Sequence, residues 1–106
     1  MDIGIQPHVI TEIISVLKHF PKISDVVLYG SRAMGRFRPG SDIDLAIYGS
    51  GLEFRDKLDL SIALEDLDYP YSFDITIYDM IKNDALKNHI DEKGILIYSS
   101  KVSLKQ

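Results

Sequence analysis

"YGSRAMGRFRPGSDIDLAIYG", residues 29–49, brings a Gly-Ser step, a Pro-Gly turn and two aspartates one residue apart into one short stretch. Just upstream, "DVVLYG" (25–30) is rich in β-branched and aromatic residues and reads as a strand. "SRAMGRF" (31–37) is predicted to form a short helical turn, and "RPGSD" (38–42) is a turn by composition. "DIDLAIY" (42–48) alternates polar and apolar residues, the pattern of a half-buried strand, and Gly49-Ser50-Gly51 stops it.

Working outward, Pro7 suits a first helical position, and Val9, Ile10, Ile13, Ile14, Leu17 and Phe20 recur at helical spacing until Pro21. Residues 52–67 read as a second helix with two apolar arcs. Leu60, Ala63, Leu64 and Leu67 form one; Phe54, Leu58 and Ile62 form the other, and the sequence does not decide what the second arc meets. "YSFDITIYD" (71–79) is a third strand and residues 83–92 a short helix ended by Gly94. "GILIYSS" (94–100) is a last strand, apolar on both sides and expected to be well covered, and the polar tail from Lys101 is expected to fray. This order predicts an α/β or α+β fold: a mixed sheet with helices mainly on one face, in one domain spanning residues 1–106 with its core at about 7–99.

Side chains alternate across a strand. Ile43, Leu45 and Ile47 therefore share one face, and Asp42, Asp44, Ala46 and Tyr48 the other; Phe73, Ile75 and Ile77 oppose Asp74, Thr76 and Tyr78 in the same way. The oily face should carry the two long helices, leaving the other open. If the two strands are neighbours, Asp42, Asp44 and Asp74 converge on one exposed floor. Two carboxylates about 5 Å apart repel by roughly 3 kcal/mol at an effective dielectric near 20. Protonation, solvation or a divalent cation relieves that repulsion. An all-oxygen set without cysteine or paired histidine points to Mg2+ or Mn2+, and such a triad can hold two ions.

The Gly-Ser step complements that floor. Glycine lets a phosphate approach closely, a helix start favours anions, and Ser31 adds a hydroxyl donor. Arg32, Arg36 and Arg38 add local positive charge suited to phosphate oxygens, while Ser41 reads as a turn residue beside the same site. Two other motifs fail. "GSRAMGRF" has P-loop glycine spacing but Arg36-Phe37 where Lys-Ser/Thr belongs, and "DIDLAIYG" starts like a calcium loop but has Ala46 at a ligand position. His8, His19 and His89 lack metal-ligand spacing and read as structural or surface residues.

The 106 residues carry a net charge of −4, which disfavours a general grip on nucleic acid. There are no cysteines, no apolar run of membrane-spanning length, and no basic-then-apolar start, so a cytoplasmic protein without a signal peptide is expected.

Gly30-Ser31, ten residues, then Asp42-Ile43-Asp44, joined by a third strand aspartate, resembles the DNA polymerase β-like nucleotidyltransferase superfamily, and in length its minimal nucleotidyltransferases (MNT). The resemblance implies transfer of a nucleoside monophosphate from a nucleoside triphosphate, ATP in the first instance, with Mg2+ as cofactor. Asp42, Asp44 and Asp74 would be the metal ligands and catalytic carboxylates. Gly30 and Ser31, with Arg32 and Ser41 beside them, would bind the nucleotide. Larger members add a domain for base and acceptor. In MNT proteins a helical HEPN partner takes that part, and the pair resembles a toxin–antitoxin module in which the MNT chain adenylylates a toxin tyrosine. Against this stand two other readings: a catalytically idle subunit docking a partner through Phe54, Leu58 and Ile62, and a nucleotide sensor that binds without transfer.

Overall fold

The structure is a computed structural model that describes residues 3–100; the tail from Lys101 lies outside them. Helix α1 (Pro7–Leu17) opens the fold, followed by β1 (Asp25–Tyr29), β2 (Ile43–Tyr48), α2 (Phe54–Glu65), β3 (Phe73–Ile77), a 3₁₀ turn (Tyr78–Met80), α3 (Asp84–Lys93) and β4 (Ile95–Ser99). The four strands form one mixed sheet in the order β3-β2-β1-β4. β1 is antiparallel to both β2 and β4, whereas β2 and β3 are parallel. A parallel pair needs a crossover, and α2 supplies it. The α+β class expected from the sequence is the one observed.

The oily face carries both long helices. Val9, Ile13 and Leu17 of α1 and Leu60 and Leu64 of α2 meet Ile43, Leu45, Ile47 and Ile75 in one core. Pro7 starts α1 as its missing N–H allows, and the helix ends at Leu17, three residues short of the expected Phe20. The next amides, of His19 and Phe20, bond to the carbonyls of Val16 and Leu17 in a tightened last turn. α2 answers the question its two arcs posed: Leu60 and Leu64 are buried, while Phe54, Leu58 and Ile62 are 66%, 46% and 55% exposed.

Three expectations need correction. Residues 31–35 form turns and no helix. The Arg36 amide does bond to the Ser31 carbonyl at 2.9 Å, but Gly35 adopts φ +71°, which a right-handed helix cannot continue. The polar sheet face is open only in part. α3 lies over the half formed by Tyr29 and Ala46, to which Ile90 packs, because Tyr29, Ala46 and Tyr48 make that half apolar. β4 is an edge strand beside β1 and is not covered on both sides: Leu96 is 55% exposed, while Ile95 and Ile97 pack on the main core. Among the described residues no helix is long and apolar enough to cross a membrane.

The two faces of α2 give a direct test. Leu64→Ala empties a fully buried site and should cost about 2–5 kcal/mol, whereas Ile62→Ala on the exposed arc should change stability by no more than about 0.5 kcal/mol. Urea denaturation of both variants measures the difference.

Candidate active site

The parallel register of β2 and β3 places Asp44 opposite Asp74 and Ala46 opposite Thr76. Neighbouring strands lie about 4.8 Å apart, so the two carboxylates rise side by side from one face. The core enforces this register. Ile43, Leu45 and Ile47 stand opposite Phe73, Ile75 and Ile77, and a slip of one residue would turn β3's aspartate into the oily layer. Asp42 sits one residue before β2. The next amide, of Ile43, donates to the Ser72 carbonyl at 2.8 Å and closes the strand pair at its start. Asp42 and Asp74 are exposed, and Asp44 is half-buried between them and the sheet.

β1 walls the site on its other side, with Tyr29 opposite Asp44. The chain then turns at Gly30 with φ +79°, a conformation that glycine adopts without strain. A Cβ at position 30 would overlap the Asp44 carboxylate, so this backbone is as close to the acid as a chain can come. The Tyr29 hydroxyl and Thr76 Oγ1 are 2.9 Å apart, bridging β1 and β3 over Ala46.

Burial, then the charges of Asp74 and Asp42, push the Asp44 carboxyl up to about 6, against the opposing pull of His89 and Arg32. Burial likewise raises the Tyr29 phenol; the Thr76 hydrogen bond lowers it, and the Asp74 and Asp44 charges raise it further. The sequence gives no sign of His89's place here. Its Nε2 accepts the Gly30 amide at 2.9 Å, and its ring meets the Tyr29 ring edge-on at 6.1 Å. Only the neutral imidazole can accept that amide. The contact spans 59 residues, beyond any local pattern.

The three aspartates expected to act together do lie around one floor, with Gly30 beside them. Ser31 follows at the turn, half-buried, its carbonyl taken by the Arg36 amide. Since residues 31–35 are a turn, no helix start supports an anion there. Arg32 turns inward, and Ser41 is engaged in its own turn. Arg32 is only 2% exposed, and its guanidinium bonds to the backbone carbonyls of Ile3, Gly4 and Ser41. It points inward because Phe37 and Tyr71 cover it with their rings. Ser41 Oγ accepts the Arg38 amide at 2.8 Å and closes the Pro-Gly turn. Arg36 and Arg38 remain exposed.

Among the described residues no group of three or more His, Cys, Asp or Glu side chains is already arranged to hold a metal ion. The donor set nonetheless fits a hard cation. All its donors are carboxylate oxygens, burial and then their mutual repulsion raise the Asp44 carboxyl, and Mg2+ commonly takes one or two carboxylates and fills its shell with water and phosphate.

A sheet of this topology, with paired aspartates after a Gly-Ser turn and a third on the parallel neighbour, is the arrangement that the nucleotidyltransferase resemblance implies. Residues 11–103 match the family described as polymerase beta, nucleotidyltransferase. The chain belongs to that family. Solved structures share the fold. A toxin–antitoxin with AMP-PNP aligns at TM-score 0.71 with 23% identity, over 89% of this chain and 76% of that one. A Shewanella oneidensis complex of a tri-AMPylated HEPN toxin with its MNT antitoxin aligns at 0.68 with 20% identity, over 95% and 78%. A structure assigned to a minimal nucleotidyltransferase aligns at 0.66 with 26% identity, over 90% and 95%. No protein of the curated set matches the chain.

The weakened acidity of Asp44 sets a pH signature. Its ordinary value is 3.8 and its folded value about 6, so the folded state binds this proton more tightly than the unfolded chain. The associated stability is present below pH 3.8 and is lost as pH rises through about 6. Asp44→Asn removes the penalty. The metal-free variant should match the parent near pH 4 and exceed its Tm above pH 6.5, by about 4 °C or more if roughly 1 kcal/mol is regained. Thermal melts in chelator across this range measure the gap.

Proposed function

We propose that this protein is a divalent-cation-dependent nucleotidyltransferase that moves AMP from ATP onto a hydroxyl of a partner protein, a tyrosine of a HEPN toxin. The observation that carries the reading is the Asp44–Asp74 pairing in the β2–β3 register, with Asp42 one strand step away and Gly30 against the Asp44 carboxylate. Family membership supports the reaction class. The fold shared with an MNT antitoxin whose HEPN toxin partner is tri-AMPylated supports the acceptor.

In this reading Asp42, Asp44 and Asp74 hold Mg2+ or Mn2+, which supplies charge neutralisation for the phosphates. Gly30 and Ser31 lie against the phosphate chain, with the Gly30 backbone pressed directly against the Asp44 carboxylate. Asp74, the exposed member of the pair, takes the proton of the acceptor hydroxyl. The acceptor oxygen forms its bond to the α-phosphorus, the bond from that phosphorus to the bridging oxygen breaks, and pyrophosphate leaves with the electron pair. Positioning and electrostatics carry most of the rate.

The exposed arc of Phe54, Leu58 and Ile62 favours a second reading, a subunit that docks its partner without transfer. One experiment separates the two: the chain, its co-encoded partner, Mg2+ and ATP labelled at the α-phosphate. Transfer of label to the partner is expected, and Asp44→Ala should reduce it by about 10²-fold or more while leaving the complex intact. Equal labelling by Asp44→Ala, or a tight complex without label, would reject the transferase.

A further inference from the structure

Arg32 is a buried charge that the proposed reaction does not use. Its side chain is 2% exposed, and among the described residues the only ion pair is Lys22–Asp56, so no described carboxylate is paired with it. Burying an unpaired cation is unfavourable unless fixed dipoles replace its water. Here they do. Nε and Nη2 both donate to the Ser41 carbonyl, at 3.2 and 2.8 Å, and Nη1 donates to the carbonyls of Ile3 and Gly4, at 3.0 and 3.1 Å. The rings of Phe37 and Tyr71 each lie 5.2 Å from the guanidinium carbon.

The partners of this group are placed where the site is built. Arg32 itself directly follows the Gly30–Ser31 step. Ser41 precedes Asp42, and its carbonyl takes two of the four bonds. Tyr71 lies three residues before Asp74, and between them the Ser72 carbonyl accepts the Ile43 amide. We propose that Arg32 is the positioning residue of this site, a buried hub that fixes the Gly-Ser turn, the start of β2 and the start of β3 in one frame. The hub rests on the transferase reading for its purpose, although its geometry stands without it. The segment at Ile3–Gly4 closes the hub from the other side. Gly4 has φ +74°, and a Cβ there would overlap the Phe37 ring and come within 2.7 Å of Nη1. The planar fork is essential, since a lysine ammonium keeps the charge but cannot span these carbonyls while lying flat between two rings. The guanidinium also acts through space, its charge opposing the loss of acidity that burial and the other aspartates impose on Asp44.

The test compares the parent, Arg32→Lys and Phe37→Leu as full chains. Hydrogen exchange in the metal-free protein reads the frame directly. The Ile43 amide, bonded across to Ser72, should exchange faster in Arg32→Lys, while amides of α1 and the β1–β4 pair keep their parent protection. Mn2+ affinity in the presence of a non-hydrolysable ATP analogue, read by electron paramagnetic resonance, should weaken by about 10–100-fold, the range seen when supporting residues around a metal site are lost. In the labelling reaction kcat should fall more than KM rises. A folded Arg32→Lys with parent-like Ile43 exchange and parent-like Mn2+ affinity would overturn the hub. If Arg32→Lys does not fold, Phe37→Leu decides. Faster Ile43 exchange and weaker Mn2+ binding in that variant support the hub, and unchanged values overturn it. A parent that binds no Mn2+ with the nucleotide defeats the transferase reading and the hub's purpose together. A parent that binds while both variants bind equally well defeats the hub alone.

Discussion

The parallel register between β2 and β3 is the constraint on which the site depends. It sets Asp44 beside Asp74 on a half-buried sheet face, an arrangement that like charges resist. The pull of His89 and Arg32 offsets that resistance only in part. The opposing attraction comes from the other side of the sheet, where Ile43, Leu45, Ile47, Ile75 and Ile77 interlock with α1 and α2. Core burial therefore offsets the electrostatic strain of the floor. The strain shows in the acidity of Asp44, which burial and its two neighbours lower together. A cation on this floor would turn the least favourable feature of the free protein into its strongest interaction with ligand.

Around that floor the structure leaves little slack. Gly30 approaches Asp44 so closely that a single methyl group would not fit, and His89 reaches across from α3 to hold the Gly30 amide. α3 thus does more than cover an apolar patch. It presents an imidazole to the Gly30 amide, and a triphosphate bound as proposed would have to displace that ring in order to seat there.

Much of this was legible in the sequence, for identifiable reasons. Strict alternation in 42–48 and 73–78 gives each strand an unambiguous oily face, so the aspartates could lie only on the other. The Gly-Ser and Pro-Gly steps mark where the chain bends. The arcs of α2 were also readable, but which arc meets solvent depends on how α2 crosses the sheet, and that is a tertiary fact. Arg32 misleads because an arginine in a basic run beside a phosphate motif looks solvent-facing; its burial follows from Phe37, Tyr71 and Ile3–Gly4 closing over it, none of which a local pattern ties to residue 32. His89 was invisible for the same reason. The predicted helix at 31–37 failed because Gly35 takes a left-handed backbone that ends the turn.

β3 meets the rest of the sheet through β2 alone, at one edge and across the α2 crossover. The antiparallel β1–β2 pair, which carries Gly30 and Asp44, can form over a shorter loop and so with less entropic delay. The third carboxylate is accordingly the one that joins late in folding and the one that a brief opening of the edge would release. Such an opening would leave most of the domain native and the pair at 42 and 44 in place, so in the proposed reaction the edge strand would govern how often the full set of carboxylates is assembled.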